Sequence, residues 1–248
     1  MQLPVSASAA SPSLLAEVFH AGDTLADFRH RLPADSATRI DLERPVEVAG
    51  AELAFRDLAD LRVLAIVEDW CKDSRDALPV LDVLLAASPG SELRVVKRDE
   101  HMDLMANYLK DGKFAAIPVF IFMDRDFNEL GRYVERPPAV TRLRRAERES
   151  LAAKDPRFNP PDAKPSAFDD VTAADLRAAV LELRARSQPQ ATLMVAEALA
   201  DVADQITEVL AGRASAAPRS SLLNTLANQG PLQIVDVGDD DCEIEPNA

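Results

Sequence analysis

Glycine, aromatic residues, cysteine and positive charge are all scarce in this 248-residue chain, and each scarcity removes a class of function. With eight glycines there is no glycine-rich phosphate loop and no dinucleotide fingerprint. The three histidines, His20, His30 and His101, are scattered, and none pairs with a cysteine at metal-ligand spacing, which argues against a zinc site. Two cysteines, Cys71 and Cys242, are too few for a disulfide framework and suit a reducing compartment. No apolar run approaches the length that spans a bilayer. Met1 to Ser13 lacks the basic-then-apolar order of a secretory signal, so a cytoplasmic location with no membrane partner is expected. The formal net charge of -14 repels phosphate backbones, and no nucleic-acid partner is expected. The densest basic cluster, Arg142, Arg144, Arg145 and Arg148, is balanced by Glu147 and Glu149 and reads as a solvated helix face. Aromatics are only 5% of residues, so Leu, Val and Ala must fill the core; at 47% hydrophobic overall, a sizeable core is within reach.

Residues 1–13 are small and polar and read as disordered. From Leu14 to Leu32 apolar residues recur near helical spacing, with Gly22-Asp23 as a break and Pro33 as the stop. Val46 to Phe55 has room for a short hairpin turning at Gly50. An alternation of strand and helix follows. Arg62–Val67 (RVLAIV) reads as a strand buried on both faces, Ser74–Ala87 as a helix with Leu78, Leu81 and Leu85 on one stripe, and Glu92–Lys97 as a second strand. His101–Lys110 reads as a second helix; Val119–Met123 and Glu129–Val134 are close enough to pair as a hairpin. A helix around Ala139–Ala153 closes the series. The first two strands should be parallel and the last two antiparallel. This domain, 14–153, is followed by a proline-rich linker over 154–170 and a helical extension over 171–212. The extension opens on a Thr172/Asp175 capping box, is interrupted at Pro189, and so reads as a helical hairpin. Its second helix carries Val195, Leu199, Val202, Ile206 and Val209 as a stripe, either packed on the domain or joining two copies as a homodimer. The acidic segment 213–248 reads as a disordered tail.

The chemically informative junction is Glu68-Asp69-Trp70-Cys71-Lys72-Asp73-Ser74, where a strand hands over to a helix. Unpaired N–H groups and the macrodipole at a helix N-terminus stabilise an anion, and a thiolate placed there has a lowered pKa. Lys72 adds positive charge; Asp69 and Asp73 oppose it, and the charges alone leave the net effect open. Trp70-Cys71 after an aliphatic strand resembles the active-site segment of thioredoxins. Pro79 and Leu81 resemble the P-x-L of the helix that follows. Ile117-Pro118 before a strand is similar to the Ile-Pro whose cis peptide faces the active-site cysteine in that fold. A bacterial thioredoxin-like subfamily with the motif W-C-x-D resembles this chain further, through Leu93 to Glu100, the run from Ile117 to Met123, Gly131-Arg132 and Arg136-Pro137.

The resemblance covers about residues 14–150 and implies an α/β thioredoxin fold, a central mixed sheet flanked by helices, here with an N-terminal helical extension and a C-terminal helical hairpin. It implies Cys71 as nucleophile and Ser74 as its partner, with Trp70, Lys72, Asp73, Ile117 and Pro118 holding a protein substrate. Two departures stand out. The second cysteine of thioredoxins is replaced by Ser74, so Cys71 can capture a partner but not resolve the bond within the motif. The buried acid of the preceding strand is replaced by Ala65, which leaves Glu68 or Asp73 to substitute as general base.

Three readings follow. One is a monothiol oxidoreductase acting on protein thiols or disulfides, needing no bound cofactor, with a low-molecular-weight thiol as co-substrate. Another is a non-catalytic binding or adaptor module, in which Cys71 is a small buried hydrophobe and Ser74 a first-turn hydroxyl. The third is a thiol redox sensor. Cys242, in the acidic tail, is a further candidate to resolve a disulfide on Cys71, although its acidic neighbours raise its pKa.

Overall fold

The computed structural model of this protein describes residues 10–32 and 46–212. The expectations for residues 1–9, for the acidic tail and for Cys242 lie outside them. Strands β1 (Arg62–Val67), β2 (Glu92–Lys97), β3 (Val119–Met123) and β4 (Glu129–Val134) form one sheet in the order β2-β1-β3-β4. β1 and β2 run parallel, while β3 is antiparallel to both β1 and β4. This is the mixed sheet of the thioredoxin fold. Side chains alternate across a strand, so the apolar runs of β1 and β3 feed two cores at once. Val63, Ala65, Val67, Phe120 and Phe122 enter one, whereas Leu64, Ile66, Val119, Ile121 and Met123 enter the other.

The second face is covered by α1 (Pro12–Ala21), through Leu15, Val18 and Phe19, and by Leu104, Met105 and Tyr108. The helix begins at Pro12 because Ser11 caps it, accepting the Leu14 N–H at 3.3 Å, so ordered structure starts before Leu14. It ends at Gly22, and α2 (Leu25–Arg31) starts after the expected break. Within that break Asp23 exchanges two backbone hydrogen bonds with Val95, at 3.0 and 2.9 Å, and so occupies part of the open edge of β2. A Cβ on Gly22 would lie 3.1 Å from Val96 Cγ1 and 3.2 Å from Arg94 Cβ, so the approach to β2 depends on the missing side chain.

Several elements differ from the sequence reading. No hairpin forms over Val46–Phe55. Ala49 and Gly50 adopt positive φ, the Ala51 N–H donates to the Val48 carbonyl, and the chain enters a short helix, α3 (Leu53–Arg56). Val46 and Val48 pack on the first core through their side chains instead of pairing as strands. The helix expected over His101–Lys110 shortens to α5 (Met102–Met105), after α4 (Lys72–Leu85) and β2. Asn107 Nδ2 donates to the carbonyls of Asp103 and Leu104, a side-chain competitor for the next helical turn.

The largest difference is at the C-terminus. After α6 (Pro138–Lys154), a single helix, α7 (Asp170–Leu210), runs through Pro189 where a hairpin was expected. Proline removes one N–H and leaves the Ala185 carbonyl without its helical partner. Both residues are exposed, so that carbonyl is open to solvent, and packing on either side of Pro189 keeps the helix continuous. The cap is Asp169, three residues before the expected Thr172, accepting from the N–H groups of Val171 and Thr172. The segment between α6 and α7 is also more than a linker, since Phe158 packs with Leu151, Ala152 and Leu176.

The far half of α7 closes the first core. Val195, Leu199, Val202 and Ile206 lie in it beside Leu78 and Leu81 of α4, which spends most of the expected stripe inside the chain. Gly131 on β4 marks the contact, because a Cβ there would lie 3.1 Å from Ile206 Cγ1. The basic cluster of α6 is a solvated face only in part: Arg142 and Arg145 are exposed, the latter paired with Glu149, whereas the other two are not. Arg144 is buried against Asp76, Glu147 and Ser187, and Arg148 donates to the carbonyls of Pro161 and Ala163. These arginines tie α6 to α4, to α7 and to the segment between α6 and α7. Among the described residues, no helix is long and apolar enough to cross a membrane.

Because α7 completes the core, Leu199→Ala is expected to destabilise the whole domain by about 2–5 kcal/mol. Urea unfolding followed by far-UV circular dichroism checks this; an unchanged midpoint would show α7 to be a dispensable appendage.

Candidate thiol site

The site forms where β1 ends. After Val67 the chain turns, with the Cys71 N–H donating to the Glu68 carbonyl at 3.2 Å, and Cys71 becomes the N-cap of α4. A cap residue turns its side chain back on the first turn. Here the Ser74 N–H donates to Cys71 Sγ at 3.4 Å. The sulfur thus occupies the place normally filled by a capping oxygen, where helix-end N–H groups favour negative charge. Cys71 Sγ also stands 3.6 Å from the Ile117 carbonyl oxygen, and the Ile117–Pro118 peptide bond is cis. Cys71 is 0% exposed and disulfide-bonded in this structure; the chain's other cysteine, Cys242, lies outside the described residues.

Ser74, at the position of the second thioredoxin cysteine, is fully buried, and its Oγ has no hydrogen-bond partner among the described residues. Trp70 is half-buried against the second core. The guanidinium of Arg98 stacks on its ring at 5.0 Å. Arg98 is itself buried, forks onto Asp99 Oδ1 at 2.9 and 2.7 Å, and donates to the Ala115 carbonyl at 3.3 Å. One side chain therefore joins the Trp70 turn to the segment leading into Ile117–Pro118. Lys72 is half-buried at the start of α4. Asp73 is buried and ion-paired with Arg136, Nη1 to Oδ2 at 3.0 Å. The structure thus gathers Cys71, Ser74, Ile117 and Pro118, places Trp70 next to Cys71, and commits the Asp73 carboxylate to an internal pair.

Ala65, where thioredoxins carry an acid, lies within the first core. Glu68, just past the end of β1, is buried and accepts the Asp99 N–H at 3.0 Å. Burial pushes its pKa above the usual carboxylate range, with that hydrogen bond pulling the other way. Sequence reasoning assigned no chemical role to Arg98 or Arg136, although both lie in segments that carry the resemblance, Leu93 to Glu100 and Arg136-Pro137. Among the described residues no group of three or more His, Cys, Asp or Glu could hold a metal ion.

An acid whose pKa rises on folding binds protons more tightly in the native state, so its carboxylate costs stability as pH rises above the unfolded value. Glu68→Gln keeps an oxygen for the Asp99 N–H and removes that cost. The variant should gain on the wild type as pH rises from about 4 towards neutrality. Parallel thermal melts across that range check the sign; a gap that narrows with rising pH would contradict it.

Residues 47–149 match the model of a family described as Thioredoxin. No curated protein matches the chain. Among solved structures, one similar chain is a protein of unknown function from Pseudomonas aeruginosa, with 25% identity, a TM-score of 0.42 and coverage of 68% of this chain and 94% of that one. Another is an HIV epitope-scaffold, with 22% identity, a TM-score of 0.41 and coverage of 77% and 96%. On its strand order and on the match over residues 47–149, the region around Cys71 has a thioredoxin-like fold.

Proposed function

We propose that this domain carries out thiol–disulfide exchange through Cys71, as a monothiol protein whose mixed disulfide is resolved by an external low-molecular-weight thiol such as glutathione, bacillithiol or mycothiol. The observation that carries the reading is the sulfur at the N-cap of α4, accepting the Ser74 N–H at 3.4 Å. The reactive form is the reduced one. Its thiolate attacks one sulfur of a protein disulfide, a Cys71 mixed disulfide forms, and the other sulfur leaves as a thiolate that takes a proton from solvent. The external thiolate then attacks the substrate sulfur, releases the Cys71 thiolate and leaves a new disulfide on the substrate. Each step exchanges one S–S bond for another, so no separate oxidant is required. Trp70 and Ile117–Pro118 flank the sulfur and line the path of the substrate backbone, with Ser74 and Lys72 at the same helix end. A reducing cytoplasm supplies the thiol.

A second reading has its own support. Complete burial of Cys71 and the serine at position 74 favour a non-catalytic adaptor, or a sensor in which capping of Cys71 alters partner binding. Reduced protein is mixed with a small disulfide and analysed by intact mass, using wild type, Cys71→Ser and Cys242→Ser. Exchange predicts adduct formation in wild type and Cys242→Ser, none at position 71 in Cys71→Ser, and release by added thiol. The same samples, titrated, should place the Cys71 midpoint below the roughly 8.5 of a free thiol. Loss of turnover in Cys242→Ser would make Cys242 the resolving group. Absence of any adduct at Cys71 in reduced wild type would leave the adaptor reading.

A further inference from the structure

The carboxylate closest in sequence to Cys71 on its own helix is Asp73, in the first turn of α4. Negative charge there works against a thiolate. Yet Asp73 is not left to act alone. The chain returns from β4 and delivers Arg136 onto it, 3.0 Å from Nη1 to Oδ2, with side chains only 7% and 4% exposed. Ion pairs this far from water are weakly screened, and each partner sets the local potential of the other. Arg136 is held in turn by Thr141 Oγ1 at 3.3 Å, at the start of α6.

Neighbouring carboxylates are matched in the same way. Asp76, one turn further along α4, pairs with Arg144 of α6 at 3.3 Å, and buried Arg184 of α7 feels Asp73, Asp76, Arg144 and Arg136 together. Glu135, whose N–H donates to the Pro118 carbonyl at 2.7 Å, pairs with Lys110 at 2.9 Å. Asp99 pairs with Arg98 at 2.7 Å. Asp69 and Lys72 flank Cys71 in the chain with opposite charges, and Glu68 is held by the Asp99 N–H. The one carboxylate that shares the first turn with the sulfur is ion-paired with Arg136 and lies in the field of Arg184 as well.

We propose that Arg136 is a positioning residue for Cys71: by pairing with Asp73 it cancels the first-turn negative charge and holds the N-terminus of α4 favourable to a thiolate. The inference deepens the exchange reading above and rests on it for its biological use. The geometry also gives the direction of each change. Removing Arg136 alone takes from Asp73 its direct ion pair and makes the first turn more negative, with the Arg184 field still in place. Removing Asp73 alone makes the first turn more positive. Removing both restores the balance.

The test is thiolate ultraviolet absorbance against pH, in reduced full-length protein carrying Cys242→Ser so that Cys71 alone titrates. Arg136→Gln is expected to raise the midpoint by about one unit, a tenfold fall in the thiolate-to-thiol ratio at a given pH below it. Asp73→Asn is expected to lower the midpoint, the double variant to return it close to the starting value, and Arg136→Lys to keep it there. Should Arg136→Gln not fold, Asp73→Asn and the double variant still carry the comparison, because neither leaves a buried carboxylate alone. Equal midpoints in Asp73→Asn, the double variant and the parent overturn the proposal, as does a double variant that stays at the Arg136→Gln value. Failure of the exchange reading shows separately, as absence of adduct at Cys71, because charges shift the sulfur's titration whether or not it has a substrate.

Discussion

A four-stranded sheet whose two central strands are apolar on both sides has to be covered twice, and that requirement organises this chain. β1 and β3 supply the demand, with Val63, Ala65, Val67, Phe120 and Phe122 on one face and Leu64, Ile66, Val119, Ile121 and Met123 on the other. α1 and the segment around α5 cover one face. The other is shared by α4, α2, α3 and the far half of α7. Since α4 is clamped between sheet and α7, its N-terminus is fixed relative to β1, and the capping sulfur of Cys71 is fixed with it. Packing thus sets the direction in which the helix-end N–H groups point, which no local feature of the motif could do alone.

The same architecture explains why so many arginines are buried in an acidic protein. Arg98, Arg136, Arg144 and Arg184 are largely withdrawn from solvent, and carboxylates lie around them. Burying a single charge is costly, whereas paired charges with good geometry approach balance. Two of these pairs join elements distant in sequence: Asp73 and Asp76 come from α4, and their partners Arg136 and Arg144 come from beyond β4. They specify where the C-terminal helices sit more than they add net stability.

How much of this was legible in the sequence follows from the range of each signal. The strands declared themselves because burial on both faces leaves an unbroken aliphatic run, as in RVLAIV and VFIFM. The strand-to-helix junction at Cys71 was readable from the same local pattern, and Ile117-Pro118 from its place before β3. Distant partners were not. Pro189 has a strong local meaning, helix interruption, which long-range packing and exposure to water overrode. Arg144 and Arg148 resembled a solvated stripe because their partners, Asp76, Pro161 and Ala163, are out of phase with any helical period. Asp73 looked like a groove residue, and only the fold shows Arg136 closing on it. Hydrophobic period reports which face of an element is buried, but not which element buries it.

The position of α7 in the core has a consequence for how the molecule is made. A ribosome delivers the strands and the thiol-bearing helix long before it delivers Val195, Leu199, Val202 and Ile206. Until those residues emerge, Phe120, Phe122 and the apolar side of α4 lack their cover, and Asp73 and Asp76 lack Arg184 nearby. The sheet can pair, but its first core closes only when nearly all of the described chain has left the tunnel, so folding of this domain waits on the emergence of α7. A chain cut short before α7 carries every residue of the thiol motif and an open apolar face, a species suited to chaperones rather than to chemistry.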